Sequence, residues 1–397
     1  MITRSNLKVA IAQLYARNAF APSSIYYDGL QSPFTDGAGP TSTWALAYNA
    51  IHSQVWQLTG QGLVMFQIEW LAVLVDDFNI DPKTITFFSD NPKKTTIAQG
   101  IGVQVIEDLN QLRSMRFGYA LANAPFDQGI DTITKVTQIP FYNIGANSVI
   151  QVLIDEILDE GGICFNVWNT NWMCSSTGGR GFRKWFLDNF EILNVTLHDN
   201  SQKDVFDIRL SDIFTTVSRK TSKPNNHMVE WVAYGSPPFI VDLTLYDFWP
   251  LYKDSIGMAI FNKTMRRKTG NLLVSTSENK DSPLPLYMVT ANNKRQGPRQ
   301  NPEPQKQFQK DTFKLTLEKS IWLGFDSATQ KDLYYEWMGT KHYAYLLSMV
   351  QSTPKNQSHF FSLIGDYDFQ NTDFTKYFDI TPRQAQAIEE WHSLLAK

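Results

Sequence analysis

From residue 60 to about 200 the chain alternates short, continuously apolar runs with longer stretches whose apolar residues recur at helical spacing. Continuous apolar runs are what parallel strands need, because both of their faces are covered. The pattern predicts strands at 62–66 (GLVMF), 84–90 (TITFFSD), 103–108 (VQVIED), 117–126 (FGYALANAPF), 163–169 (ICFNVWN) and 191–198 (EILNVTLH). Between them it predicts helices at 68–80, 91–102, 146–162 and 180–190. Such β-α repetition indicates an open α/β sheet flanked by helices, with ligands gathered at the carboxyl ends of the strands. Phe66-Gln67, Asp90, Asp108 and Asn123–Phe126 would then share one rim. Residues 1–60 read as mainly helical, with Thr41-Ser42 as an N-cap. After about residue 205 the repetition fades. Helical spacing returns near the end, where Thr381-Pro382 opens PRQAQAIEEWHSLLA.

Composition narrows the class. The hydrophobic fraction (43%) far exceeds the charged one (19%), and the net charge is only −3 over 397 residues, which excludes a disordered chain. Two cysteines, Cys164 and Cys174, exclude a disulfide scaffold or a four-thiolate zinc site. No apolar run reaches the roughly 18–20 residues of a membrane-spanning helix. The best, Leu63–Val75, is interrupted by Gln67 and Glu69. With no cleavage site behind an apolar N-terminal segment, the expectation is a cytoplasmic protein without a membrane partner. No His-x-x-x-His pair and no GxxxxGK[ST] occur, so neither a metal centre nor a P-loop is expected. The aromatic residues (13%) fit either core filling or a stacking surface for flat ligands. Charge, however, is uneven. Residues 263–310 hold ten lysines and arginines against three acids. That stretch is either a solvated loop or a phosphate-contacting arm, with Arg266, Arg267, Lys268, Lys294, Arg295 and Arg299 as its contacts.

The sharpest local signal is Asn123-Ala124-Pro125-Phe126, at the end of a predicted strand. It resembles the Asn-Pro-Pro-Phe/Tyr motif of the amino-group DNA methyltransferases, which methylate adenine N6 with S-adenosylmethionine. The segment downstream of it is similar too: a helix, Glu160-Gly161-Gly162, a strand, an Asn/Trp-rich loop, the helix around Phe182–Phe190, and a strand. The ending YDFQNTDFTKYFDITPRQAQAIEE resembles the C-terminal segment of phage and restriction-associated members. The resemblance covers roughly residues 60–200 and 315–390. It implies a Rossmann-like methyltransferase sheet flanked by helices, plus a C-terminal α+β target-recognition region. The domains would be a helical segment at 1–60, a catalytic domain at 61–205 and a recognition region at 206–397.

The resemblance also assigns roles. Adenine N6 is a poor nucleophile because its lone pair is delocalised into the ring. The Asn123 side-chain oxygen and the Ala124 carbonyl would accept its two hydrogens, and Phe126 would stack on a base flipped from double-stranded DNA. Ala124 replaces a proline of the motif, yet it still precedes Pro125, which favours extended backbone. Asp90 would hold the cofactor ribose and Asp108 its adenine amino group, although each is equally a helix cap. The first-strand turn would be Phe66-Gln67-Ile68-Glu69, without the usual glycines, with Glu69 as a ligand contact or a first-turn acid. An alternative register places that turn at Thr59-Gly60-Gln61-Gly62. The glycine-poor turn keeps a second class open: a methyltransferase-like nucleic-acid or protein-binding protein without catalysis. A third reading is an RNA methyltransferase. Trp168, Trp172 and Arg180 are either packing or a wall of the base pocket, and Cys164 reads as core.

Overall fold

The structure is a computed structural model. It describes residues 57–89, 92–123, 146–169, 178–198, 213–224, 227–233, 236–275, 286–289, 316–317, 321–350, 355–356, 359–370 and 373–395, with Leu7, His52, Met173 and Leu284. Most of the helical segment expected at 1–60 lies outside these residues. The chain divides into two compact units, residues 1–172 with 177–247, and residues 173–176 with 248–397.

The first unit is built on a nine-stranded sheet. Its elements are β1 (Gly62–Met65), α1 (Ile68–Ala72), β2 (Ile85–Phe88), α2 (Pro92–Gly100), β3 (Gln104–Ile106), α3 (Leu109–Leu112) and β4 (Phe117–Ala122). They continue with α4 (Ala146–Ile157), β5 (Leu158–Asn169), α5 (Gly178–Asn189), β6 (Phe190–His198), β7 (Ile213–Lys220), β8 (Met228–Ala233) and β9 (Phe239–Asp242). The strand order is β3-β2-β1-β4-β5-β7-β6-β8-β9. The first five strands pair in parallel, and β7 runs antiparallel between β5 and β6. This is an open, Rossmann-like sheet, parallel through its first five strands.

All four residues of β1 are buried, as a central strand covered on both faces requires. Every residue of α1 is buried as well, and the chain leaves it through one π-helical turn, Val73–Asp77. The long apolar run Leu63–Val75 is therefore core, and no helix among the described residues is long and apolar enough to cross a membrane.

Two expectations change. The helix expected at 146–162 stops at Ile157, because Leu158 already pairs with Phe117 of β4. The two glycines serve a bulge in β5, not a helix stop. Gly161 takes φ +81°, and a Cβ on Gly162 would lie 2.9 Å from the Gly118 carbonyl oxygen. Nor does the sheet end near residue 205. Strands β7 to β9 carry it to Asp242, so the first unit extends to residue 247.

The second unit carries α6 (Ser255–Arg266), β10 (Leu273–Ser275), β11 (Leu286–Val289), β12 (Thr316–Leu317), β13 (Ile321–Gly324), α7 (Ala328–Met338) and α8 (Lys341–Ser348). It ends with β14 (Lys355–Asn356), α9 (His359–Ile364), α10 (Phe374–Tyr377) and α11 (Pro382–Leu395). Its core is aromatic: Trp337 meets Tyr343, Tyr367, Phe369 and Phe378 at ring-centroid distances of 4.8–5.4 Å. A capping box opens α11, with the Gln384 amide N–H on Thr381 Oγ1 and the Thr381 N–H on Gln384 Oε1.

Candidate functional site

The strand order reverses between β1 and β4. In open α/β sheets a crevice forms outside the carboxyl ends of the two strands that flank such a reversal. Met65 is in register with both Phe88 of β2 and Ala122 of β4, so the next residue of each strand, Phe66, Ser89 and Asn123, sits on one shared rim. All three are buried. The turn after β1 is Phe66-Gln67, the glycine-free register. Thr59–Gly62 falls at the opposite, amino end of the strand.

The backbone at this turn is unusual. Phe66 takes φ +70°, a left-handed conformation that bulky side chains rarely adopt and that costs roughly 1–2 kcal/mol. The Gln67 N–H donates to the Met65 carbonyl at 2.9 Å, closing a three-residue γ-turn around Phe66. Three contacts hold that turn. The Phe66 N–H donates to the Phe88 carbonyl at 2.8 Å, extending the β1–β2 ladder by one residue. The Phe66 ring packs edge-on against Phe88 at 5.2 Å. Lys94, buried on α2, donates from Nζ to the Phe66 carbonyl at 2.7 Å. An aromatic residue thus occupies the conformation for which glycine is the usual choice.

Beyond the turn stand two buried polar side chains. Gln67 is 1% exposed, and among the described residues neither its Oε1 nor its Nε2 has a hydrogen-bond partner. Leaving a buried amide unpaired costs about 1–3 kcal/mol. Glu69, in the first turn of α1, is fully buried. Across the reversal, Asn166 of β5 is in register with Ala122 and hydrogen-bonds the fully buried Gln151 of α4. Cys164 is wedged against the same pair, with the Asn166 amide 3.1 Å from its Sγ. Burial pushes its thiol far above the ordinary range, so it is inert core.

The remaining expected residues fall into several groups. Asp108 caps α3, accepting from the Asn110 N–H at 2.9 Å and from its side-chain amide at 3.0 Å. Asp90 and Ala124, Pro125 and Phe126 lie outside the described residues, as do Lys294, Arg295, Arg299 and Trp172. Arg266 ends α6 and, with Arg267, is exposed. Lys268 is half-buried, with its stem against Gly365 and its Nζ 3.5 Å from the Ser362 carbonyl. Trp168 is core. It donates to Thr216 Oγ1 at 2.8 Å, stacks on Phe214 and packs against Phe182 and Phe186. Arg180 pairs with Asp247 at 3.3 Å.

Lys94 and Gln151 were not expected. Lys94 lies in a lysine-threonine run that reads as a solvated face. Gln151 is one polar residue in an otherwise apolar stretch of helix, which was the available signal.

No protein-family model matches the chain, and no curated protein matches it by sequence. Similar solved structures include the type IIG restriction endonuclease BpuSI, with TM-score 0.44 and 12% identity over 74% of this chain and 39% of that one. The EcoKI M protein of a type I restriction enzyme matches with TM-score 0.36 and 15% identity over 49% of each chain. A putative class I S-adenosylmethionine-dependent methyltransferase from Listeria monocytogenes matches with TM-score 0.39 and 9% identity over 58% of this chain and 72% of that one. The chain spans 39% of BpuSI and about half of EcoKI M. The fold itself is assigned from strand order and register.

Proposed function

We propose that this chain is an S-adenosylmethionine-dependent DNA methyltransferase that acts on adenine N6 and protects DNA from restriction. The observation that supports the reading best is the juxtaposition of Asn123 at the end of β4 with the Phe66-Gln67 turn at the end of β1, across the reversal of strand order.

The residues present fit the cofactor. The Phe66 turn supplies the backbone reversal that glycines give elsewhere in the resembled family. The unpartnered amide of Gln67 offers a donor and an acceptor where the polar methionine end would be held. Asp90 is the candidate for the ribose hydroxyls. Asp108 is used as a helix cap, which leaves its expected ligand role without support. When bound, S-adenosylmethionine supplies an electrophilic methyl group on a sulfonium. The chain's own part is to orient the amine. The Asn123 side-chain oxygen and the Ala124 carbonyl accept its two N–H groups, which directs the nitrogen lone pair away from the ring, and Phe126 stacks on the extruded base. Arg266 and Arg267 are exposed for phosphate contacts on double-stranded DNA, with Lys294, Arg295 and Arg299 as further candidates.

The glycine-free turn favours one second reading, a methyltransferase-like binding protein without catalysis. Calorimetry with S-adenosylhomocysteine separates the two. The enzyme binds one equivalent per chain, and the absence of binding to soluble, folded protein would reject the enzyme.

A further inference from the structure

Glycine is the residue that reaches φ near +70° without strain, and the turn after β1 has none. Something else must keep Phe66 in that conformation. The ladder bond from its N–H to Phe88 fixes one side of the residue, and its ring is fixed against the same strand. On the other side, the peptide linking Phe66 to Gln67 is held by an ammonium. Lys94 Nζ, buried and 28 residues away in sequence, donates to the Phe66 carbonyl at 2.7 Å. A charge-assisted bond to a buried carbonyl is among the stronger single contacts a side chain can make. The orientation of that peptide also sets where Gln67 begins, and Gln67, the residue after the turn, carries a buried amide without a partner among the described residues.

We infer that Lys94 is a positioning residue for the cofactor. Its ammonium clamps the Phe66 carbonyl and so performs in this chain the task that a glycine performs by conformational freedom, keeping the Gln67 amide aimed at the rim. This deepens the proposed function and rests on it. The clamp acts through the backbone of Phe66, and Lys94 itself need not touch the ligand.

The test is a double-mutant cycle on the full chain, read by calorimetric affinity for S-adenosylhomocysteine and by the unfolding midpoint without ligand. Lys94→Met removes the ammonium and keeps the volume, and Phe66→Gly removes the need for a clamp. With Phe66 present, Lys94→Met weakens binding by about tenfold or more, or about 1.4 kcal/mol. With Phe66→Gly in place, the same change shifts affinity by less than about threefold. Equal affinity in wild type and Lys94→Met overturns the clamp. So does an equal loss in both backgrounds, because Lys94 would then act by some route other than Phe66. A purely structural role would lower the ligand-free midpoint alike in both backgrounds and leave the affinity of the folded protein unchanged, which also overturns it. Failure of the wild-type chain to bind S-adenosylhomocysteine is a distinct outcome. It overturns the methyltransferase reading, and this inference with it.

Discussion

Replacing Gln67 by Met should stabilise the ligand-free protein while impairing the site. The side chain is 1% exposed and neither end of its amide has a partner among the described residues, so folding has given up its hydrogen bonds to water without replacing them there. Methionine has nearly the same shape and no amide to satisfy. The gain expected from relieving the unpaired amide is about 1–3 kcal/mol. In a unit of this size each kcal/mol moves Tm by roughly 2–4 °C, so a rise of about 2–12 °C is expected. The same substitution removes hydrogen bonds to the polar end of the cofactor, which are worth about 1.5–3 kcal/mol where the partner is charged. Ligand at about 100 times Kd stabilises the wild type by about 2.7 kcal/mol, and a tenfold weaker variant retains only about half of that. Thermal scans of both proteins, with and without S-adenosylhomocysteine, read both effects in one experiment. A Tm that falls, or a ligand-induced shift equal to that of wild type, would refute the reasoning. The Gln67 amide would then be satisfied by the protein itself and not reserved for a ligand.

Four other perturbations have defined outcomes. Gly118→Ala should cost several kcal/mol or prevent folding, since the new Cβ would lie 1.9 Å from the Thr59 carbonyl oxygen; an unfolding midpoint within about 2 °C of wild type would contradict this. Arg266→Ala with Arg267→Ala should flatten the slope of log K against log salt for DNA by about 1.8, and an unchanged slope removes α6 from the interface. Lys268→Ala should instead lower stability through its contact with Gly365, with little effect on that slope. Burial holds His342 neutral, with its pKa pushed down from 6.5 to about 3. Thr264 Oγ1 donates to the Ile260 carbonyl, so it accepts from His342 Nε2–H, which fixes the tautomer. The unfolded chain binds this proton first. Stability of the second unit should therefore fall by up to about 1.4 kcal/mol per pH unit from pH 6.5 towards 4 and be insensitive above that range. His342→Gln should flatten the denaturant-midpoint profile across that window, and an unchanged profile would place the titration elsewhere.

The parallel half of the sheet was legible because β1 and β2 are continuously apolar and α4 and α5 are amphipathic, so β1 to β6 could be placed from local pattern. The carboxyl rim came with that placement, and the strand register puts Phe66 and Asn123, expected there, at adjacent strand ends. Strands β7 to β9 were not legible in this way. IFTTVSRK is five-eighths polar with no clean period, and only its pairing with β5 and β6, and that of MVEWVA with β6, makes these segments part of the sheet. The end of α4 was misplaced for a related reason. A Gly-Gly pair reads as a helix stop, whereas here it accommodates the close approach of β4. The first-strand turn shows the limit most clearly. The absence of glycine is visible in the sequence, but the left-handed Phe66 and the buried lysine that holds it arise from contacts made with β2 and α2.

The most direct test of the central claim is nucleoside mass spectrometry of DNA from cells expressing the protein, beside cells expressing Asn123→Ala. The account predicts N6-methyladenine in the first and none in the second, with both proteins soluble and both able to bind S-adenosylhomocysteine. Methylated adenine at equal levels in both would contradict the role of Asn123. Its absence from both, at good soluble expression, would contradict the assignment of DNA adenine as the substrate.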